Sequence, residues 1–311
     1  MTSATTLAPV IDVRDLNLSY GDFHAVKDLS FQVEAGELYA LLGTNGAGKT
    51  STLEIIEGHR TPTSGTVRVF GRSPRDRAAV RPRMGIMLQE SGFSPDLTVR
   101  ESVRLIGKLT RRADEVGRVL GVVGLTHKAG TKVSQLSGGE KRRLDFATAV
   151  WGGPELVFLD EPTTGLDIQS RDALWDAVDR LREDGSTVVL TTHYLEEAQQ
   201  RADRIGLMHQ GSFHTEGTVS ELTRALPAAI RFALPAGAPA LPLPLPAEHQ
   251  SDGRLLVKAT GLQKDLFTLL GWTEHHGLEL QDLEAGPTRL DDVFRAIGSG
   301  GGSGGGRGSG R

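Results

Sequence analysis

A glycine-rich loop is the first segment of the chain whose residue types and spacing could do chemistry. It reads Gly43-Thr-Asn-Gly-Ala-Gly-Lys-Thr50 and matches G-x-x-x-x-G-K-[ST] between a predicted strand and a predicted helix. Glycines let backbone N–H groups curl around phosphate oxygens, and the helix N-terminus adds its positive dipole end. Lys49 is expected to reach the β- and γ-phosphates and Thr50 to bind Mg²⁺. The predicted nucleotide contacts are Gly43, Thr44, Asn45, Gly46, Ala47, Gly48, Lys49, Thr50 and Ser51.

Two carboxylates follow a second apolar strand, Leu156-Val-Phe-Leu-Asp160-Glu161. Because adjacent strand residues point to opposite sides, the two acids are expected to have different surroundings and different tasks. Asp160 suits the role of an acid that holds Mg²⁺, and Glu161 is then placed to orient or deprotonate the attacking water. Asp and Glu are common at solvated strand ends, but their occurrence with a phosphate loop favours the catalytic interpretation.

A second glycine pair lies in Leu136-Ser137-Gly138-Gly139-Glu140, just before a predicted helix. Ser137 and Glu140 have the spacing of a capping box, which would by itself explain the pattern as a helix start. The two glycines inside the cap also expose backbone N–H groups at a positive helix end, so the segment predicts a second phosphate-binding surface.

These motifs give the chain a clear resemblance to a known family. A phosphate loop alone does not separate kinases, GTPases and ATPases, but Leu136–Glu140 resembles the signature of ABC transporter nucleotide-binding subunits. The resemblance covers roughly Ile11 to Leu226, with the motifs in the family's order. It implies an α/β P-loop NTPase fold, with a mostly parallel sheet core, an antiparallel β subdomain and a helical subdomain. It also implies a homodimer that sandwiches two ATP molecules, each held by one phosphate loop and by Ser137, Gly138 and Gly139 of the other copy.

Four further positions take their expected roles from this resemblance. Tyr20 resembles the aromatic residue that stacks on adenine. Gln89 resembles the glutamine that touches Mg²⁺ and water and couples to the permease. Asp167 resembles the acid that communicates across the dimer, and His193 the histidine that bonds the γ-phosphate and Glu161. Lys49, Glu161 and His193 are all present, so both composite sites of a homodimer are expected to be active.

Strands and helices alternate through most of the chain, which predicts a mostly parallel sheet. We assign 10–226 to an ABC ATPase domain and 227–297 to a small α+β accessory domain containing a Pro-rich linker at 235–246. Within the accessory domain, the pattern predicts strands near Arg254–Thr260 and Leu278–Glu284 and helices near Leu262–His276 and Leu290–Ile297. The tail 298–311 is almost entirely Gly, Ser and Arg, so it is expected to be disordered, whether natural or an artificial linker.

Composition restricts the class of protein. The 311 residues are 24% charged and 38% hydrophobic, typical of a globular chain, and the net charge of −4 gives no basic footprint for nucleic acid. The chain has no cysteine, which excludes disulfides and cysteine-based metal sites. No apolar run approaches the roughly 20 residues of a membrane span, and the N-terminus lacks a secretory signal. We therefore expect a cytoplasmic protein that reaches the inner face of the membrane through a permease partner.

Two other classes of P-loop protein fit the sequence less well than a transporter subunit does. A soluble ABC ATPase acting on DNA would carry a long coiled coil between Thr50 and Ser137, but that interval is too short to contain one. A soluble ABC ATPase acting on ribosomes would carry two ATPase domains in one chain, but this sequence has a single phosphate loop. A P-loop kinase would need an acceptor pocket and gives no reason for the Leu136–Glu140 segment.

Export is the expected direction of transport. Three short segments resemble the daunorubicin-resistance type of exporter ATPase: Lys141-Arg-Arg-Leu, Glu161-Pro-Thr-Thr-Gly-Leu-Asp167 and Leu290-Asp-Asp-Val-Phe294. The small C-terminal domain also fits that type, whereas sugar importers tend to have a larger, barrel-like regulatory domain. The expected cargo is a drug, an antibiotic or another hydrophobic compound. Lipid or polysaccharide cargo stays open, because cargo contacts the permease.

Overall fold

The computed structural model describes residues 8–89, 92–224, 227–235, 237–239, 241, 245–250 and 252–294. The described chain divides into two units between Gly217 and Thr218. The predicted tail 298–311, and Leu226 and Ile297 at the expected domain ends, lie outside the described residues.

The first unit contains two sheets. A three-stranded antiparallel sheet has the order β2-β1-β4, and a six-stranded sheet has the order β5-β6-β7-β3-β8-β9. The strands are β1 (Ile11–Tyr20), β2 (Phe23–Val33), β3 (Leu38–Gly43), β4 (Ser64–Val69), β5 (Met84–Met87), β6 (Leu156–Asp160), β7 (Thr187–Thr191), β8 (Arg204–His209) and β9 (Ser212–Thr218).

The central strands of the six-stranded sheet are parallel and covered on both faces. β3 pairs in parallel with β7 and β8, and β6 pairs in parallel with β5 and β7. Every residue of β3 and β7 is buried, which explains why their sequences are continuous apolar or β-branched runs rather than alternating ones. The mostly parallel core and the antiparallel sheet agree with the predicted fold class.

The described residues of the first unit form seven α-helices. They are α1 (Lys49–Ile56), α2 (Arg77–Val80), α3 (Val99–Thr110), α4 (Val116–Val122), α5 (Gly138–Ala149), α6 (Ile168–Glu183) and α7 (Leu195–Arg201). Helices α3, α4 and α5 pack together as the predicted helical subdomain, and α5 also lies against β5 and β6. Gly107 permits one close approach, because a Cβ there would lie 2.6 Å from the Trp151 ring.

The second unit is a four-stranded antiparallel sheet with the order β11-β12-β10-β13. Helix α9 packs on β10 and β13, and residues 290–294 are helical. The elements are α8 (Val219–Arg224), β10 (Ala228–Ala233), β11 (Ala247–His249), β12 (Leu255–Ala259), α9 (Leu262–His275) and β13 (Gln281–Gly286).

The proline-rich segment lies inside this second unit. It connects β10 with β11 of the same sheet, and its Leu245 is buried in the hydrophobic cluster that contains Ile230, Phe232 and Leu269. The described part of the segment therefore contributes to a core. Among the described residues of the whole chain, no helix is both long and apolar enough to cross a membrane.

Candidate nucleotide-binding site

Four of the predicted site segments follow parallel strands that end at one edge of the sheet. The phosphate loop follows β3, Gln89 follows β5, Glu161 follows β6, and His193 follows β7. In parallel sheets the carboxyl ends of the strands lie together, and ligands bind in the crevice outside them. Strand order therefore brings these segments together although up to 150 residues separate them along the chain.

The phosphate loop has the backbone that its glycines permit. Gly46 and Gly48 have φ values of 78° and 99°, in the left-handed region that favours glycine. A Cβ on Gly48 would also lie 2.5 Å from the Ala25 carbonyl oxygen, so this position excludes any side chain on two grounds. Helix α1 begins directly after Gly48 without a side-chain cap, which leaves its first backbone N–H groups to an anion.

Lys49 lies inside the curve of the loop. Its Nζ donates to the carbonyl oxygens of Gly43 at 2.7 Å and Thr44 at 3.2 Å. Burial lowers the pKa of the Lys49 ammonium, and the nearby Glu161 and Asp160 carboxylates act in the opposite direction. A cation is thus held between the loop and the two acids, where phosphate oxygens would be attracted.

The two acids after β6 differ in environment, but not for the predicted reason. The strand ends at Asp160, whose Oδ1 accepts a hydrogen bond from the Thr191 hydroxyl. Glu161 lies beyond the strand with a left-handed φ of 48°, and its backbone N–H donates to the Thr191 carbonyl at 3.0 Å. The expectation that strand alternation directs the two side chains is therefore wrong, because a strained turn sets the direction of Glu161.

Glu161 and His193 are brought together by β6 and β7. Glu161 Oε2 lies 3.4 Å from His193 Nδ1 and accepts from the Thr164 hydroxyl at 3.3 Å. The Glu161 side chain is mostly buried, whereas the His193 side chain is half exposed. A carboxylate with an adjacent imidazole at the open edge of the site can orient a water molecule and share its proton.

Gln89 and Tyr20 flank the site. The Gln89 side chain is exposed, and its backbone carbonyl accepts from Arg142 at 3.0 Å. The Tyr20 hydroxyl lies 3.1 Å from Ser51 Oγ, which places the ring beside the start of α1, and the residue is 42% exposed. The guanidinium carbon of Arg60 lies 4.8 Å from the Tyr20 ring centroid.

The predicted capping box at the start of α5 is confirmed. Ser137 accepts from the Glu140 N–H, and the Glu140 carboxylate accepts from the Ser137 N–H. Lys128 pairs with Glu140 at 3.2 Å. A Cβ on Gly139 would lie 3.4 Å from Leu166, next to Asp167, which caps α6 by accepting from the Ser170 N–H at 2.7 Å.

Comparison with known proteins agrees with this geometry. Residues 26–164 match the ABC transporter family, and residues 228–288 match the C-terminal domain of ABC transporter domain-containing proteins. The daunorubicin resistance ATP-binding protein of Streptomyces coeruleorubidus is 36% identical over 291 residues, covering 88% of this chain and 91% of that protein. The chain belongs to the ABC transporter ATP-binding family. It is therefore an ATPase of that family.

Two further comparisons extend the match. A Nod factor export ATP-binding protein of Burkholderia orbicola is 40% identical over 218 residues, covering 68% of this chain and 71% of that protein. The dimeric, post-hydrolysis structure of an ATP-binding cassette bound to ADP and Pi has a TM-score of 0.62 and 26% identity, covering 67% of this chain and 98% of that one. The ABC ATPase fold is confirmed.

Sequence reasoning missed one central residue of the site. Arg142 on α5 is buried and donates to the backbone carbonyls of Asp160, Glu161 and Pro162. It also donates to the Gln89 carbonyl. Its neighbours Lys141 and Arg143 have the same charge, and a cluster of cations normally indicates a solvated helix face. The sequence offers no signal that separates the buried arginine from the other two.

Proposed function

We propose that this ABC ATPase powers export of a drug, an antibiotic or another hydrophobic compound through a separate membrane permease. The main support for ATP hydrolysis at this site is that the Lys49 loop and the Glu161–His193 pair lie at the same edge of the sheet. Support for export comes from the daunorubicin resistance and Nod factor export relatives, the first of which matches across both units. We place the chain at the inner face of the membrane, where the permease would hold it.

Magnesium is the metal that the donor set fits. Thr50 at the start of α1, Asp160 at the end of β6 and Gln89 after β5 supply hydroxyl, carboxylate and amide oxygens, which are hard ligands. They would hold the ion, and the ion when bound would neutralise charge on the β- and γ-phosphate oxygens.

The proposed reaction uses the chain's own residues in order. The N–H groups of Gly43–Thr50 and the Lys49 ammonium hold the phosphates, and Tyr20 stacks on the adenine. Glu161 then orients water for in-line attack and accepts its proton, while His193 donates to a γ-phosphate oxygen. The water oxygen bonds to the γ-phosphorus as the bond from that phosphorus to the β–γ bridging oxygen breaks, so that ADP and phosphate are released. Lys49 stabilises the negative charge on the leaving and transferred oxygens.

A second copy is proposed to complete each site. Among the described residues, no hydrogen bond joins the Ser137–Gly139 turn to the phosphate loop of the same chain. In the proposed dimer each turn lies against the ATP of the other copy, and Asp167 approaches the partner. ATP then favours the closed dimer because it contacts both copies only there, and hydrolysis removes that bridge.

The permease is proposed to contact a groove between β5 and α3. The groove encloses about 620 Å³ and combines apolar and basic lining residues. Among those residues are Ile86, Leu88, Phe93, Leu109, Arg77 and Arg81. Gly92 and Phe93, which follow Gln89 closely in the chain, line this groove, so we expect movement of Gln89 during closure to be transmitted to it. No nucleic-acid partner is proposed, since the net charge is −4.

Transport by vesicles tests this proposal. Inside-out vesicles containing this chain and the membrane protein encoded beside it should accumulate a fluorescent anthracycline when ATP is added. Vesicles with Glu161→Gln should not. Accumulation that is independent of this chain would contradict the proposal, and a ribosomal or DNA-repair neighbour in place of a membrane protein would favour the soluble ABC ATPase.

A further inference from the structure

Arg142 connects two loops of the site through one side chain. Its guanidinium donates to the carbonyls of Leu88 at 2.6 Å and Gln89 at 3.0 Å, both after β5. It also donates to Glu161 at 2.7 Å and Pro162 at 3.2 Å, and to Asp160, all at the end of β6. Arg142 is only 6% exposed, so these bonds are shielded from water.

The chemistry of arginine suits this position. A guanidinium has five N–H donors in a rigid planar fork, and here that fork spans five carbonyl acceptors. Buried carbonyls at strand ends have lost their ladder partners and need donors. A lysine would keep the charge, but its compact ammonium could not bond both loops in one plane.

Charge reinforces the arrangement. Burial lowers the pKa of the Arg142 guanidinium, whereas Asp145, Asp160 and Glu161 act in the opposite direction, so the group stays cationic at neutral pH. The cation lies behind the acidic pair, on the backbone side, while Lys49 lies beside the phosphate loop. Arg142 is also on α5, five residues after the Ser137 cap.

We propose that Arg142 is a positioning residue for ATP hydrolysis, which holds the Gln89 loop and the Asp160–Pro162 turn at a fixed spacing and ties both to the helix that Ser137 caps. It acts through Gln89 and Glu161 and touches no nucleotide itself. The inference rests on the proposed roles of those two residues. Since α5 carries Ser137, displacement of that helix by a partner copy would move both loops together.

Substitution of Arg142 tests the inference. Arg142→Lys and Arg142→Gln should lower kcat about 10-fold or more, because small misplacements of catalytic groups cost up to ~10²-fold. Affinity for a fluorescent ATP analogue should change less than about twofold, since the Lys49 loop is untouched. The Mg²⁺ concentration that gives half-maximal activity should rise, because Gln89 and Asp160 are proposed to hold the ion.

Arg112 provides a matched control. It is less deeply buried than Arg142 but likewise donates to backbone carbonyls. These are the carbonyls of Met84 at 2.9 Å, at the opposite end of β5, and Ala149 at the end of α5. Arg112→Lys and Arg112→Gln should lower Tm comparably and leave kcat within about twofold. Equal losses of kcat in the two sets would overturn the inference. So would a chain that folds with the Arg112 substitutions but with neither Arg142 substitution, since Arg142 would then be structural.

A double-mutant cycle with Gln89→Ala shows whether Arg142 acts through that loop. Residues in one network give non-additive effects, so Gln89→Ala should cost at least about threefold less in the Arg142→Lys background than alone. In the Arg112→Lys background its cost should be unchanged. Additive costs in both backgrounds would overturn the inference. Failure of the proposed roles of Gln89 and Glu161 is distinguishable, because Gln89→Ala and Glu161→Gln would then leave kcat unchanged in the chain that keeps Arg142.

Discussion

Glu161 Oε2 lies 3.4 Å from His193 Nδ1, although the two residues follow different strands and are 32 positions apart. The pair exists because β6 and β7 are parallel neighbours, with Asp160 opposite Thr191. Thr191 holds both acids in place, because its hydroxyl donates to the Asp160 carboxylate and its backbone carbonyl accepts from the Glu161 N–H. The position of the predicted base is thus set by the sheet register.

Glu161→Gln should slow turnover by roughly 10²–10⁴-fold while ATP binding is kept, because the amide cannot accept the proton of water. Steady-state phosphate release and equilibrium binding of a fluorescent ATP analogue measure the two quantities. Glu155→Gln, at the opposite end of β6, is the control and should retain activity. Near-normal turnover of the Glu161 variant would remove this residue from catalysis.

Lys49→Ala should weaken ATP binding itself by at least about 10-fold, because the phosphates lose the Lys49 ammonium that lies inside the loop. Isothermal titration with ATP and Mg²⁺ measures the change. Lys108→Ala, on the exposed face of α3, removes an equal charge and should bind normally. Unchanged affinity in the Lys49 variant would count against the phosphate-loop assignment.

Ser137→Arg should leave ATP binding by one chain intact and abolish hydrolysis, because the large side chain would keep the partner's ATP away from the α5 N-terminus. The substitution also removes a helix cap, which costs about 1 kcal/mol. Thr98→Arg is therefore the matched control, since Thr98 caps α3 with the same capping box. Full hydrolysis by the Ser137 variant, or equal loss in the Thr98 variant, would contradict a composite site.

The Glu57 carboxyl group should contribute stability to the nucleotide-free chain that is lost as the pH rises from about 5 to 8. Burial raises the pKa of Glu57 to about 8, with Asp160 and Glu54 acting in the same direction and Arg81 in the opposite one. The His59 ring lies 3.6 Å away, and burial lowers the pKa of that imidazole.

The sign follows from proton binding. The folded chain keeps the Glu57 proton that the unfolded chain releases above its usual pKa of 4.5, so this stabilisation is complete below pH 4.5 and lost through pH 8. The slope is at most about 1.4 kcal/mol per pH unit. Urea unfolding of Glu57→Gln between pH 5 and 8.5 should show a flatter profile than wild type. Parallel profiles would contradict the protonated state of Glu57.

The sequence predicted the parts of the site that depend on local chemistry. The glycines at 46 and 48, the Ser137–Glu140 cap and the apolar runs of β6 and β7 each specify a backbone that neighbouring residues determine. The four-residue strand β5 gave too short a pattern to be predicted. Strand β10 pairs with β12 across the proline-rich segment, and such long-range pairing leaves no local signal.

Arg142 shows why the remainder required the structure. Its neighbour Arg143 has the same charge and donates to the Val123 carbonyl, while Arg142 points to the acidic pair. Residue type does not distinguish the two; the rotation of α5 against β5 and β6 does. The direction of Glu161 is similar, because a left-handed turn set by contact with Thr191 overrides the alternation expected from the strand.

Light scattering of purified Glu161→Gln with ATP and Mg²⁺ tests the central claim most directly. Two copies enclosing ATP between Gly43–Thr50 and Ser137–Gly139 should give twice the chain mass of 33.3 kDa. Removal of ATP, or a second substitution Ser137→Arg in the same chain, should restore the mass of one chain. A protein that binds ATP and Mg²⁺ yet keeps the mass of one chain under these conditions would contradict the account.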